Sequence, residues 1–279
     1  MNKKPVKKGA FKSGKLTTVL LAAVALMLAL LLALLLLIPK NEEPAPTVPS
    51  TEVSADSTEA VTEESTEPEE TGPKMLPEME KLYKKNPDIC GWIRIGDTKL
   101  DYPVMYTPED QDKYLYKDFN GNLDLSGLPI LDKDCSIDPE SQNLIIYGHN
   151  MKDGTAFKTL FEYKYTDFLK ENSTIYYSTL YEERTYEVAY VFYDQVYSKD
   201  SKHFKFYEFI DPETEEEFQK GIKHFKELNF MKTGVEPEFG DNLLILVTCS
   251  YHTDYGRFVV VARQVTDNVE VTSDTEAVS

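Results

Sequence analysis

The chain has 279 residues and a formal net charge of −18 at pH 7. This negative charge argues against nucleic acid as a partner, because nucleic-acid binding needs basic patches. The three cysteines are an odd number, which suggests at least one free thiol.

The first segments of the chain predict a membrane anchor. Residues 1–15 carry six lysines and no acidic residue, and residues 16–38 contain no charge. An apolar run of roughly 20 residues can cross a bilayer as a helix, and basic residues stay on the cytoplasmic side. The run also exceeds the apolar core of a cleaved signal peptide, which is usually about 7–15 residues. We therefore expect a single-pass protein with a cytoplasmic N-terminus and an extracellular domain.

The next segment has a different composition. Residues 41–73 contain ten Asp or Glu, no Lys or Arg, and many Pro, Ser and Thr. Such a segment cannot bury enough apolar surface to fold, so residues 39–74 are predicted to be a disordered acidic tether. Residues 75–267 have the length of one domain, and residues 268–279 are predicted to be a flexible tail.

Within the domain, the pattern predicts a mainly β fold with short helices. A helix is expected over residues 75–85, where it should stop at Asn86–Pro87. Asp211 and Pro212 predict the start of the clearest helix, as N-cap and first-turn residues. Many short strands with few helices indicate a mixed β-barrel or sandwich. Strands are predicted over residues 91–95, 99–105, 127–132, 143–149, 174–178, 184–198, 244–249 and 257–265. Helices are predicted over 155–164, 166–172 and 212–228, and a helical turn within 112–122 that ends at Asn120–Gly121.

The last two predicted strands carry the strongest chemical signal. A continuous apolar run ends at Cys249, a short polar turn follows, and a second apolar run begins at Arg257. This arrangement places a thiol and a guanidinium at the same end of a sheet. A fixed positive charge there can favour the thiolate and stabilise an oxyanion.

His149 is the best candidate for a proton carrier, because it follows an apolar strand directly. His252 lies three residues after Cys249 and is the second choice, since so short a loop can turn it away from the thiol. His203 and His224 are predicted to be surface residues.

Together, Cys249, His149 and Arg257 can supply the nucleophile, proton carrier and oxyanion donor of an acyl transferase. The chain shows no metal-ligand spacing and no Gly-x-Ser-x-Gly elbow, so we expect neither a metal site, a cofactor nor a serine triad. Cys90 and Cys135 could form a disulfide with each other, but small buried residues are the favoured interpretation.

These motifs resemble the sortases, the cysteine transpeptidases of Gram-positive bacteria. The family pattern Thr-Leu-x-Thr-Cys matches Leu246–Cys249, with Ile245 in place of the leading Thr, and the arginine follows on the next strand. Residues 91–104 and 147–164 look specifically like class B sortases, and the resemblance covers about residues 75–266.

The resemblance implies a closed β-barrel of seven or eight strands, with an N-terminal helix and a long helix between the sixth and seventh strands. Cys249 would attack the threonine carbonyl of a C-terminal sorting motif in a secreted protein and form a thioacyl intermediate. His149 would protonate the leaving amine, Arg257 would hold the oxyanion, and a peptidoglycan amine would resolve the intermediate. Thr248, Ser250 and Asn150 would contact substrate, and Asp254 is a weaker candidate.

Three alternatives remain open from the sequence. The first is a pilus-assembling sortase that uses a pilin lysine as nucleophile, although no lid segment precedes the barrel. The second is a catalytically idle, membrane-tethered binding domain. The third, an L,D-transpeptidase, would have a Ser-x-Gly-Cys context where this chain has Leu-Val-Thr-Cys.

Overall fold

The computed structural model of the protein describes residues 72–266. The predicted cytoplasmic head, the predicted anchor over residues 16–38, nearly all of the tether and the C-terminal tail lie outside the described residues. Within residues 72–266, no helix combines the length and apolar composition needed to cross a membrane.

The described domain is mainly β, as predicted, and its strands form a closed barrel in the order β1-β2-β3-β4-β7-β8-β6-β5. The N-terminal helix and the long helix between the sixth and seventh strands are both confirmed. Turns of 3-10 helix cover Pro108–Asp110, Phe157–Lys164 and Phe206–Glu208. The α-helices and strands in chain order are α1 (Pro77–Lys85), β1 (Ile89–Arg94), β2 (Asp101–Met105), β3 (Ile130–Leu131), β4 (Asn143–Gly148), α2 (Thr166–Glu171), β5 (Thr174–Thr179), β6 (Glu183–Gln195), α3 (Glu215–Leu228), β7 (Leu243–Cys249) and β8 (Gly256–Gln264).

The strand directions bring the predicted chemical residues to one end of the barrel. β4 and β7 are parallel neighbours, so their carboxyl ends meet at the same edge, with Gly148 beside Thr248. β8 is antiparallel to β7 and begins at that edge, with Arg257 opposite Cys249. Segments that are far apart in the chain therefore meet at this end of the barrel.

The barrel interior explains the long apolar runs of the sequence. Every residue of β7 is buried except Cys249, and β8 is buried from Phe258 to Ala262. Burying one large aliphatic side chain stabilises a fold by roughly 1.5–3 kcal/mol, so these strands are firmly held. Cys90 and Cys135 are buried, and both are free thiols. The favoured interpretation of these two cysteines is confirmed, and the disulfide between them is not formed.

Helix α3 begins later than predicted. Its N-cap is Thr214, whose Oγ1 accepts a hydrogen bond from the Glu217 amide at 3.2 Å, while the Glu217 carboxylate accepts from the Glu213 amide. This pairing is close to a capping box, which outweighs the Asp-Pro signal. Asp211 instead accepts hydrogen bonds from the Ser141 hydroxyl and the Gln142 amide, at 2.9 and 2.7 Å. It ties the segment between β6 and α3 to the residues just before β4.

The helical turn predicted within residues 112–122, ending at Asn120–Gly121, does not extend into a regular helix. The structure has successive turns there and a β-bridge between Lys117 and Leu123. Asp118 accepts hydrogen bonds from the amides of Asn120 and Asn122 at 2.9 and 2.8 Å. Local side-chain bonds of this kind compete with helical hydrogen bonds and favour turns.

Candidate active site

Cys249 is the last residue of β7 and the only one of that strand that is partly exposed. The backbone around it is fixed, because Asn150 Nδ2 donates to the Cys249 carbonyl at 2.9 Å. Beside it lies a cleft of about 550 Å³ whose lining includes His149, Cys249 and Arg257. The thiol is therefore accessible from a cavity large enough for a short peptide segment.

Arg257 lies opposite Cys249 and is held by the turn that joins β7 to β8. Its Nη1 donates to the carbonyls of Tyr255 and Gly256, at 3.2 and 3.0 Å. Tyr255 has a left-handed backbone conformation with φ 54°. A Cβ at Gly256 would lie 2.5 Å from the Ser250 carbonyl oxygen, so this tight turn requires glycine. Nε and Nη2 of Arg257 form no hydrogen bond to a described residue and can donate to a substrate oxyanion.

His149 directly follows β4, and the segment before β3 holds its imidazole. Its Nε2 lies 2.8 Å from the Leu115 carbonyl oxygen. Because a carbonyl only accepts, Nε2 carries a proton, which leaves Nδ1 to exchange protons with a substrate or thiol. The ring of Tyr116 stacks on the imidazole, with centroids 5.3 Å apart and an interplanar angle of 26°. The imidazole is thus fixed by one hydrogen bond and one aromatic contact.

The loop after His149 has a tightly constrained backbone. The His149 carbonyl accepts from the Phe157 amide at 2.9 Å, and Asn150 forms a β-bridge with Ala156. Ala156 adopts φ 51°, ψ −136°, a conformation that costs energy for a residue with a Cβ. A Cβ at Gly148 would lie 2.5 Å from the Phe157 ring, which is too close, so this close packing of the ring on the β4 backbone requires glycine. The loop therefore fixes where His149 leaves the strand.

The three predicted substrate-binding residues form contacts within the site. The Thr248 hydroxyl donates to the Gly148 carbonyl at 2.7 Å and clamps β7 to β4. Asn150 holds the Cys249 carbonyl, as described above, and the Ser250 hydroxyl lies 3.0 Å from Nδ1 of His252. Thr248 and Ser250 are also buried. These residues shape the backbone around the nucleophile, and their direct contact with substrate stays a prediction. Asp254 is exposed in the turn between β7 and β8.

His252 is directed to other partners. Its Nδ1 lies beside the Ser250 hydroxyl, and its ring packs on Tyr193 with centroids 4.9 Å apart. His149 lines the cleft, whereas His252 does not. The structure therefore favours His149 over His252 as the proton carrier, in agreement with the sequence-based choice.

The cleft has two apolar walls and a charged margin. Leu115, Leu128 and Ile130 contribute one wall from the segment that leads into β3. Val196, Phe206 and Tyr207 contribute another wall from the connection between β6 and α3. Tyr147 also lines the cleft, and burial raises the pKa of its phenol well above the ordinary value, so the phenol stays neutral. The charged residues that line the cleft are Asp112, Asp132, Lys133, Asp134, Glu208 and Arg257.

Sequence reasoning missed the residues that support His149 and the second apolar wall. Leu115 acts through its carbonyl, which any residue would supply, so no side-chain motif could reveal it. Tyr116 is one of 18 tyrosines, and nothing in its local sequence marks it. Within residues 72–266, no group of three or more His, Cys, Asp or Glu side chains is arranged to hold a metal ion.

Comparison with known proteins gives consistent findings. The family model of the sortase domain matches residues 93–265. Sortase B of Listeria monocytogenes is 30% identical over 191 residues, covering 68% of this chain and 74% of that protein. Sortase B of Staphylococcus aureus is 29% identical over 189 residues, covering 67% and 74%.

The solved structures that resemble this chain include those of two sortase B proteins. A Staphylococcus aureus sortase B–substrate complex has a TM-score of 0.61 at 25% identity, covering 69% of this chain and 87% of that one. Sortase B from B. anthracis in complex with AAEK1 has a TM-score of 0.59 at 28% identity, covering 70% and 89%.

Proposed function

The chain belongs to the sortase family of cysteine transpeptidases, in its class B, and on that premise we propose that it anchors secreted proteins to the cell wall. It cleaves a sorting motif near the C-terminus of a secreted protein and joins the new carboxyl end to a peptidoglycan amine. It works at the outer face of the membrane of a Gram-positive cell, attached through the apolar segment of residues 16–38.

The reaction has two acyl-transfer steps. The Cys249 sulfur attacks the carbonyl carbon of the motif after its thiol proton has passed to His149 Nδ1, and the amide C–N bond breaks as Nδ1 gives this proton to the leaving amine. The product is a thioester on Cys249. The acceptor amine then attacks this thioester and loses a proton to His149 Nδ1, the C–S bond breaks, and the departing Cys249 sulfur takes up that proton. Arg257 stabilises the oxyanion of both tetrahedral intermediates.

One observation carries this proposal: Cys249, His149 and Arg257 line a single cleft at the end of the barrel. The thiol lies opposite the guanidinium in the strand register. A catalytically idle binding domain would not need an accessible thiol between an oriented imidazole and a guanidinium with free donors.

The proposal is tested with a peptide library and the purified full-length chain. We expect one motif class to be cleaved and a thioacyl adduct to appear on Cys249 by mass spectrometry. Cys249→Ala is the inactive control. Full activity in that variant, or an adduct on Cys90 or Cys135, would overturn the assignment.

The acceptor is identified in a second experiment. The thioacyl enzyme is offered a peptidoglycan cross-bridge amine and, separately, a peptide with an internal lysine. Faster release by the cross-bridge amine supports wall anchoring. Faster release by the lysine peptide indicates pilus assembly instead, and the attachment to peptidoglycan would then be wrong.

A further inference from the structure

A buried cluster outside the catalytic residues links helix α3 to β6. Asp194, on β6, has a side chain that is only 2% exposed. Its carboxylate accepts a hydrogen bond from His224 Nε2 at 2.8 Å and one from the Tyr197 hydroxyl at 2.7 Å. The Gln195 amide donates to the same carboxylate at 2.8 Å. Burying a carboxylate is costly unless it is hydrogen-bonded, so these three donors hold the charge in place. The reaction described above uses none of these residues.

His224 is fixed by aromatic packing as well as by the carboxylate. Its ring lies 4.9 Å from Phe204 and 6.4 Å from Phe192, measured between centroids. The predicted surface position of His224 is therefore wrong, since the residue is part of an aromatic cluster between α3 and the barrel. The donor to Asp194 cannot swing away without disturbing this packing.

The same cluster is connected to the cleft through Tyr197. The Tyr207 hydroxyl accepts from the Tyr197 amide at 3.1 Å and donates to the Tyr197 carbonyl at 3.2 Å. Tyr207 and its neighbours Val196 and Phe206 form one apolar wall of the cleft. A continuous path of hydrogen bonds thus runs from α3 to a surface that a bound peptide would touch.

Strand pairing also connects the cluster to the nucleophile, because Asp194 and Cys249 are paired with the same residue of β8. Asp194 is opposite Arg257 in the pairing of β6 with β8, and Arg257 is opposite Cys249 in the pairing of β8 with β7. A shift of β6 at Asp194 would therefore move the wall relative to the thiol. This makes the position of the wall a determinant of where the peptide lies.

We propose that His224, Asp194 and Tyr197 form a positioning latch that holds the Val196–Tyr207 wall in register with Cys249 and sets the affinity for the sorting peptide. The latch takes no part in bond making. This inference rests on the proposed peptide substrate, and it concerns KM rather than the chemical step.

The test uses the full-length chain and four variants. His224→Leu removes the donor to Asp194, and His224→Gln keeps an N–H donor of similar reach. Tyr197→Phe removes a single hydroxyl group. Lys223→Gln is the control, because Lys223 lies on the same helix with an exposed side chain. The readouts are KM and kcat for a peptide selected with the unchanged chain, and hydrogen exchange of the Tyr197 amide.

We expect His224→Leu and Tyr197→Phe to raise KM roughly tenfold with kcat within about twofold, because each leaves a buried carboxylate short of a donor. The Tyr197 amide, whose acceptor is the Tyr207 hydroxyl, should exchange roughly tenfold faster in both variants. His224→Gln and Lys223→Gln should stay close to the unchanged chain. Alkylation of Cys249 by iodoacetamide should be unaffected throughout.

Unchanged KM and unchanged exchange in His224→Leu and Tyr197→Phe would overturn the latch. It is also overturned if kcat falls at constant KM, or if His224→Gln is as impaired as His224→Leu. If His224→Leu does not fold, the KM and the Tyr197 amide exchange of the Tyr197→Phe variant alone test the latch. If the unchanged chain cleaves no peptide, the proposed function fails, while the exchange of the Tyr197 amide still tests the latch by itself.

Discussion

A cysteine thiol has a different environment in the core of the domain and at the rim of the barrel. Burial raises the pKa of the Cys90 thiol and of the Cys135 thiol to about 12 each, and both belong to the buried hydrophobic core. Cys249 is at the rim, beside a cleft and opposite a guanidinium. The interior keeps thiols neutral and inaccessible, whereas the rim exposes one thiol to a substrate. Reactivity is therefore a property of position in the barrel.

The reacting side chains at the rim are held in place in two different ways. Cys249 and Arg257 are fixed by the pairing of two buried strands. His149 depends on contacts from a loop, through the Leu115 carbonyl and the Tyr116 ring. Strand pairing tolerates little displacement, so we expect loop variants to have graded effects and variants of the reacting groups to have large ones.

The largest expected contrast is in thiol alkylation at pH 8. Because burial raises the thiol pKa of Cys90 and Cys135 from 9.0 to about 12, their thiolate fraction is lower by a factor of about 10³. The folded chain should take up one iodoacetamide label, on Cys249, and the denatured chain three. Cys249→Ser is the control and should take up none while folded. Comparable labelling of Cys90 would contradict the contrast.

The same raised pKa values predict a loss of stability at alkaline pH. The folded state holds the thiol protons of Cys90 and Cys135 up to about pH 12, whereas the unfolded chain releases them from about pH 9. The unfolded state therefore binds fewer protons in this window, and the free energy of unfolding falls as the pH rises. Denaturant titrations between pH 8 and 11 measure this slope. A Cys90→Ala variant should show a smaller slope, and an unchanged slope would refute the attribution.

Replacing the proton carrier tests the loop-supported part of the rim. His149→Ala should lower kcat/KM by roughly 10³-fold, within the range that general acid–base catalysis contributes. The matched control is His252→Ala, which removes a histidine outside the cleft lining and should keep most of the activity. If the two variants had the opposite effects, the proton carrier would be His252.

Replacing the arginine tests the strand-supported part. Arg257→Lys keeps the charge but loses the planar set of donors, and it should lower kcat by roughly 10²-fold. Arg263→Lys is the matched control, since Arg263 lies on β8 away from the cleft and pairs with Glu187 at 3.3 Å. Equal activity of Arg257→Lys and the unchanged chain would show that charge alone is sufficient.

The smallest expected effect is at Tyr116. Tyr116→Ala removes the ring that stacks on His149, and kcat should fall roughly 2–10-fold because an aromatic pair contributes about 0.5–1.5 kcal/mol. Tyr116→Phe keeps the ring and should retain activity. A fall in kcat of equal size in both variants would show that the hydroxyl, not the stacking, is responsible.

The sequence predicted the features that depend on patterns along the chain. Apolar runs revealed β4, β7 and β8, and the residues at their ends, His149, Cys249 and Arg257, lie at one edge as expected. The order of the strands around the barrel could not be derived in this way, because it depends on pairings between distant segments.

The support of the site was beyond sequence reasoning for a different reason. Leu115 contributes a backbone carbonyl, which its side chain does not specify. His224 looked like a surface histidine because its partner, Asp194, is distant in the chain. The start of α3 was the one error that the sequence could have avoided, since Thr214 and Glu217 have the spacing of a capping box.

The bond from Thr248 to Gly148 joins residues that are 100 positions apart in the chain. Contacts across such a separation require closure of a long loop, whose entropic cost slows their formation during folding. Cys249 and His149 therefore come together only when β4 and β7 pair. We therefore expect a newly made chain to have its thiol without its proton carrier until that step, so that Cys249 is not acylated by a substrate before the barrel is complete.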